Sequence, residues 1–199
     1  MSNPGEATGP SEAAGPSPPA APGATSADLA ARTRAIQLLV LDVDGVLTDG
    51  RITYTADGLE IKSFHVRDGS GLALWQRAGK KVAVISGRSS RAVDVRAAEL
   101  GITLVRQGAA DKRLALRQTL AATALRPEQV CAVGDDLLDL PLLRACGLAV
   151  VVADACDEAK AAAHYVTRTP GGHGAVREVV ELILRAQGRW DSLVESVRG

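Results

Sequence analysis

The sequence predicts an α/β protein built on a parallel sheet with helices on both faces, and three observations carry that expectation. An unbroken apolar run, Leu38-Leu39-Val40-Leu41, leads through Asp42-Val43-Asp44 onto Gly45, the pattern of a strand buried on both faces. From Lys81 onward, strand-like and helix-like segments alternate regularly, as parallel strands joined by helical crossovers require. Between these regions, Arg51 to Val66 holds two β-rich runs around Ala56-Asp57-Gly58, which reads as a hairpin inserted after the first strand.

Composition bounds the rest. Residues 1–26 are almost only Pro, Ala, Gly, Ser, Glu and Thr, which cannot fill a core and predict a disordered tail. That tail has neither the basic start nor the apolar centre of a secretory signal. Residues 27–188 fit one domain with an adequate core, and 189–199 form a C-terminal tail. No run approaches the ~18 apolar residues of a membrane span. Lys+Arg and Asp+Glu balance at 23 each, and aromatic residues are few, so a basic nucleic-acid surface is not expected. Cys131, Cys146 and Cys156 are odd in number and lack metal-ligand spacing. They are expected as reduced thiols of a cytoplasmic protein.

In order, a short helix is expected over Ala27 to Ala35 with Ser26 as its N-cap, then the first strand over Ile36 to Val43. In the hairpin, Ile52 and Tyr54 alternate on one arm and Leu59 and Ile61 on the other. A helix from Asp68 stops at Ala78-Gly79, where glycine ends it. Then come a strand (Lys81 to Ser86), a helix (Ser89 to Leu100, closed by Gly101), a strand (Ile102 to Val105) and a helix (Ala110 to Ala124). A strand over Val130 to Gly134, a helix over Leu137 to Cys146 and a strand over Leu148 to Val152 follow. Asp157 to Ala163 reads as helix and Tyr165 to Thr167 as a short strand. Gly174 to Gln187 is an amphipathic helix with Val176, Val179, Val180, Ile183 and Leu184 on one face.

In a parallel sheet, ligands sit beyond the carboxyl ends of the strands, and the residues expected there share a chemistry. The first strand delivers Asp42 and Asp44, the second Ser86-Gly87-Arg88, and the fifth Gly134-Asp135-Asp136 with Asp139 one turn on. Lys112 opens the helix after the Arg106-Gln107-Gly108 loop. Two carboxylates about 4 Å apart repel by roughly 4 kcal/mol at an effective dielectric near 20, so Asp42 and Asp44 need a cation, a shared proton or solvent. Singly, each residue has a bland explanation: an Asx-turn, a helix N-cap, a charge complementing a helix dipole. Together on one sheet edge they offer hard oxygen ligands suited to Mg²⁺ and donors suited to phosphate oxygens. An aspartate can attack phosphorus as a nucleophile, and a carboxyl two residues later can carry the proton. That second group should arrive protonated, which calls for burial or a neighbouring carboxylate.

Asp42-x-Asp44-Gly-Val, Ser86-Gly, Lys112 and Gly134-Asp135-Asp136-x-x-Asp139, in that order, resemble the four motifs of the haloacid dehalogenase (HAD) superfamily of aspartate-nucleophile phosphatases. Further segments resemble one branch, the 3-deoxy-D-manno-octulosonate (KDO) 8-phosphate phosphatases of lipopolysaccharide sugar biosynthesis. They are Asp42 to Gly50, Phe64-His-Val-Arg-Asp-Gly-Ser-Gly71, Gly87-Arg88, Arg106-Gln107-Gly108 and Gly171-Gly-His-Gly-Ala-Val-Arg-Glu178. The resemblance spans Leu38 to Gly188 and implies a Rossmann-like HAD fold. It implies Asp42 as nucleophile, Asp44 as general acid/base, and Ser86 and Lys112 as holders of the phosphoryl group. It further implies Mg²⁺ held by Asp42, the Asp44 main-chain carbonyl and Asp135, with Asp136 and Asp139 supporting. Thr48, Lys62, Arg67, Gly87 and Arg88 are the substrate-binding candidates, the three cations being suited to a sugar-acid carboxylate. His65 and His173 are candidate assistants. The chain departs from the familiar pattern in its long N-terminal tail, in Ser70 and in its extended C-terminus.

Spacing bears on the substrate. Asp44 and Ser86 are separated by 41 residues, and Ser86 and Lys112 by 25. The elements already placed there leave no room for a lid domain, so the fold is expected capless (C0). Small substrates need a largely enclosed pocket, so a neighbouring subunit or a macromolecular substrate must close the site. The resemblance implies a homotetramer in which hairpins pack centrally and a neighbour covers the site, with a small sugar-acid phosphate as substrate and neither nucleic acid nor membrane as partner. Arg189 to Gly199 is either part of such a cover or a frayed terminus. A 2-keto-3-deoxynononate 9-phosphate phosphatase and a non-catalytic domain of this fold stay open as alternatives.

Overall fold

The computed structural model describes residues 26–198. The expected disordered tail lies outside the described residues apart from Ser26, which is itself the first residue of helix α1 (Ser26–Ala35). Strand β1 (Leu38–Leu41) is shorter than the apolar run suggested, yet all four residues are buried. It ends early because the chain turns sharply: the Val43 carbonyl accepts hydrogen bonds from the amides of Val46, Leu47 and Thr48 at 3.2, 2.9 and 3.0 Å.

The hairpin follows as β2 (Thr53–Tyr54) and β3 (Glu60–Ile61), antiparallel, with Thr53 opposite Ile61 and Tyr54 opposite Glu60. Next come α2 (Val66–Arg77), β4 (Lys81–Ile85), α3 (Arg91–Glu99), β5 (Leu104–Arg106), α4 (Lys112–Thr123) and β6 (Val130–Gly134). The chain continues through α5 (Leu140–Leu143), β7 (Leu148–Val151), α6 (Asp157–Ala162), β8 (Tyr165–Val166), α7 (Ala175–Ala186) and α8 (Trp190–Arg198). The helix expected over Leu137 to Cys146 is instead a 3-10 turn, Leu137–Asp139, leading into the single turn of α5. Pro141 sits in that first turn, where a missing amide is tolerated.

Six strands form one sheet in the order β5-β4-β1-β6-β7-β8, all parallel. The chain runs outward from β1 through β4 to β5, then crosses back to β6 beside β1 and continues to β8. This reversal puts the topological switch point at β1 and β6, where ligand clefts of such sheets open. Right-handed crossovers place α2 and α3 on one face and α4, α5 and α6 on the other. Accordingly α2 packs on α7 and α7 on α1, whereas α4 packs on α5 and α5 on α6. The core sits between these layers, with β1, β6 and β7 wholly buried. Trp75 of α2 fills it and donates its indole N–H to the Lys81 carbonyl at 2.7 Å. Burying such a side chain removes roughly 150–250 Å² from water.

The C-terminal segment, expected as a tail, forms α8. Trp190 is buried, and the guanidinium groups of Arg177 and Arg185 each lie 4.9 Å from its ring centroid. Cation–π contact and apolar burial dock this helix on α7. Among the described residues, no helix is long and apolar enough to cross a membrane.

Candidate active site

Every strand of a parallel sheet points its carboxyl end to the same edge, and the side chains there line a cleft of about 560 Å³. Asp42, Asp44, Ser86, Gly87, Arg88, Lys112, Asp135, Asp136 and Asp139 all border it. These residues thus meet at one sheet edge from positions up to 97 apart in the chain.

Asp42 directly follows β1, and its amide still donates to the Val133 carbonyl at 3.1 Å, which fixes it to β6. Its carboxylate is buried. Lys112, the first residue of α4 and also buried, places Nζ 3.0 Å from Asp42 Oδ1 and 2.6 Å from Asp139 Oδ1. The aligned hydrogen bond goes to Asp139. Asp42 Oδ1 therefore has a cation beside it but no aligned donor. Asp139 is fully buried and well supplied: its Oδ2 also accepts the amides of Asp135 and Asp136 at 3.0 and 3.4 Å. Asp139 thus orients Lys112, while Asp136, exposed, caps the 3-10 turn by accepting from the Leu137 amide at 2.7 Å.

Carboxylate oxygens of Asp42, Asp135 and Asp139 all lie within 4.8 Å of one another. Burial, then the charge of Asp139, pushes Asp42 up to about 6 against the pull of Lys112. Burial, then the charges of Asp139 and Asp42, pushes Asp135 up to about 8. For Lys112, burial works against the ammonium, and the carboxylates of Asp42 and Asp139 outweigh it, so its pKa is raised. Crowded carboxylates that offer only hard oxygen, with Asp42 Oδ1 left without an aligned donor, are what a divalent cation relieves. Mg²⁺ fits this donor set, with Asp42 and Asp135 as the side chains that would hold it.

Two glycines bring the backbone close enough to make the cluster. Gly45 has φ +90°, and a Cβ there would fall 2.0 Å from Asp135 Oδ2. Behind it, a Cβ on Gly171 would fall 1.7 Å from the Gly45 carbonyl oxygen, and the Gly172 amide donates to the Val46 carbonyl at 3.0 Å. The turn before α7 thus braces the back of the catalytic loop, which explains why the Gly171-Gly172 pair accompanies the aspartate motif.

Ser86 directly follows β4 and is buried, with its Oγ accepting from the Arg88 amide at 3.3 Å. Asp44 lies half-buried between two cations: Lys62 donates to Oδ1, and Arg88 Nε lies 3.4 Å from Oδ2. This corrects the expected setting of Asp44: two cations, rather than burial or a repelling carboxylate, face its oxygens. Three substrate-binding candidates do not border the cleft. Thr48 is buried in the catalytic loop, with Oγ1 bonded to the Val43 carbonyl at 3.3 Å. Arg67 is exposed and lines a separate cleft with His173, Arg168 and Arg177. Lys62 is buried behind Asp44. Conversely, the exposed Leu137 and Leu138, 51% and 71% accessible, form an apolar rim that sequence reading missed. Their signal was two leucines directly after an Asp-Asp pair at a strand end.

The comparisons with known proteins agree with one another. Residues 104–179 match the haloacid dehalogenase-like hydrolase family. Over 169 residues, covering 85% of this chain and 90% of the relative, the chain is 48% identical to 3-deoxy-D-manno-octulosonate 8-phosphate phosphatase KdsC of Escherichia coli K12. The crystal structure of the 8-phosphate phosphatase from Yersinia pestis matches with a TM-score of 0.81 at 46% identity, covering 82% of this chain and 89% of that one. That from Moraxella catarrhalis, in complex with magnesium, phosphate and KDO, matches with a TM-score of 0.85 at 40% identity, covering 87% and 99%.

Proposed function

The chain belongs to the haloacid dehalogenase-like hydrolases, and from that premise we propose that it is a Mg²⁺-dependent phosphatase of 3-deoxy-D-manno-octulosonate 8-phosphate. It releases KDO and phosphate in lipopolysaccharide sugar biosynthesis. The observation that carries this reading is the buried Asp42 beside Lys112 at 3.0 Å, in a carboxylate cluster that asks for a cation.

Asp42 attacks phosphorus, and the bond to the C8 oxygen breaks with its electron pair on that oxygen. Asp44 gives the oxygen its proton, leaving a phosphate ester on the Asp42 carboxylate. Asp44 then takes a proton from water as the water oxygen attacks the same phosphorus, and the bond to Asp42 breaks to release inorganic phosphate. Lys112 and Ser86 hold the phosphoryl oxygens, and Arg88, 48% accessible at the mouth of the cleft, meets the sugar-acid carboxylate. Bound Mg²⁺ offsets the negative charge of the phosphoryl group, about −1.5 to −2 near neutral pH. A panel of sugar phosphates tests the assignment: a strong preference for the octulosonate ester is expected, and preference for a nononate or a plain hexose phosphate would overturn it.

The reading extends to a cytoplasmic homotetramer whose neighbouring subunits cover the cleft. Supporting it, Ile52, Tyr54, Leu59, Ile61 and Val66 put 39–75% of their surface into solvent on the hairpin and its exit, an apolar patch of the kind that interfaces cover. The thiols of Cys131, Cys146 and Cys156 are free, in keeping with a reducing compartment. Light scattering at working concentration checks the assembly, and a monomer would rule it out.

A further inference from the structure

We infer that Lys62 is a positioning residue for Asp44, set on the hairpin to hold the proton-carrying carboxylate in line with the leaving oxygen. This inference rests on the phosphatase reading and moves Lys62 from the substrate to the enzyme's own machinery.

Alternation along the hairpin arm sends side chains to opposite sides. Leu59 and Ile61 point outward, 64% and 48% accessible, while Glu60 and Lys62 turn inward. The Lys62 side chain is 1% accessible and does not border the cleft, so the carboxylate of a bound sugar acid has no path to it. A buried ammonium is held only by its partners. Those partners are Asp44 Oδ1, to which it donates, and Glu60 Oε1 at 3.4 Å.

The two oxygens of Asp44 meet different cations. Oδ1 is held by buried Lys62, and Oδ2 faces Arg88 Nε at 3.4 Å. Arg88 in turn reaches Glu60 Oε1 at 2.8 Å and the Tyr54 hydroxyl at 3.5 Å. Arg88 is half-accessible at the cleft mouth whereas the Lys62 side chain is wholly enclosed, so Lys62 is the fixed anchor that sets the plane of the Asp44 carboxyl. The hairpin is joined to the sheet edge through this network, and a displaced hairpin takes the anchor with it.

A positioning role predicts a contrast between leaving groups. An alkoxide leaving from a sugar ester needs the proton that Asp44 carries, whereas p-nitrophenolate leaves without much help. Steady-state turnover of Lys62→Met is therefore compared with the parent on alkyl phosphates, the octulosonate ester and a short alkyl phosphate without a carboxylate, and on p-nitrophenyl phosphate, all at saturating Mg²⁺. The expected result is a fall in kcat/KM of about 10²-fold on both alkyl esters and of less than about tenfold on the aryl ester, because kcat/KM reads the step in which the leaving group departs, whereas kcat also contains the hydrolysis of the aspartyl phosphate that all three substrates share. A loss confined to KM for the carboxylated sugar makes Lys62 a substrate contact and overturns the inference. Equal losses on all substrates make it a structural tie of the hairpin, and unchanged rates also overturn it. Should Lys62→Met fail to fold, Lys62→Arg, which keeps the charge and moves the contact, is read against the same outcomes. Failure of the phosphatase assignment shows separately, as a parent enzyme that prefers another ester while the alkyl-to-aryl contrast persists.

Discussion

Two buried acidic sites in this molecule stand in opposite conditions. At the sheet edge, Asp42 and Asp135 are pushed up to about 6 and about 8 by burial and by neighbouring carboxylates, and Asp42 Oδ1 has no aligned donor. At the β8 end, Glu178 of α7 accepts from the Tyr165 hydroxyl, the Arg168 amide, and both the amide and hydroxyl of Thr169, at 2.7 to 3.1 Å. Burial alone would raise its pKa, yet these donors outweigh burial and lower it. Burial and charge do not separate a functional acid from a structural one. Between these two sites donor supply makes the difference: Glu178 is saturated and holds β8 to α7, whereas Asp42 Oδ1 is left short, open to a cation and a phosphate.

The contrast can be broken in order of effect. Asp42→Asn is expected to lower turnover by roughly 10⁴-fold or more, while the metal-free protein melts no earlier than the parent because a repelling charge is gone. Retained activity on the sugar phosphate panel, or early melting, would contradict this. Glu178→Ala should do the reverse, destabilising the fold by roughly 2–3 kcal/mol through orphaned donors, with turnover per folded molecule unchanged. Chemical denaturation and an active-site-normalised rate measure the two halves. Gly45→Ala should raise the Mg²⁺ concentration needed for half-maximal activity by about 10- to 100-fold, since its Cβ would meet Asp135 Oδ2 at 2.0 Å. A Mg²⁺ titration reads that shift.

The smallest effect is the dependence of metal stabilisation on pH. Both folded-state values lie above the ordinary 3.8, so without metal the folded form holds more protons than the unfolded one. The cluster's contribution to stability is then fully present below about pH 4 and is lost as pH rises toward about 8. Mg²⁺ replaces those protons. The gain in Tm on adding Mg²⁺ should accordingly be several degrees larger at pH 8 than at pH 5, by differential scanning fluorimetry. An equal gain at both values would contradict the proton-for-metal exchange.

Much of the fold and of the sheet-edge site was legible beforehand. The strand Val130–Gly134 was read with its observed limits, because an apolar run between a Pro-containing turn and Gly-Asp leaves little freedom. Ser86, Lys112 and Asp135 were assembled correctly because parallel strands must end on one edge. Other features were not legible. Leu137 to Cys146 reads as one continuous helix, yet it starts as a 3-10 turn because Pro141 lacks the amide that would bond the Leu137 carbonyl. Arg67 looked like a substrate contact by its neighbours in sequence, yet it opens on a different cleft. Lys62 looked like one too, but the arm that carries it buries it.

By itself, then, the sequence determined the sheet, its functional edge and the chemistry available there, since hydrophobic period and residue type act locally and survive any detail of packing. Packing in three dimensions settles which acid is starved and which is saturated, which cation is enclosed and which is exposed. Those properties depend on donors brought in from far along the chain: Thr169 to Glu178, Lys112 to Asp139, and the Gly171 backbone against Gly45. Distance in space, not position in the chain, sets an electrostatic environment.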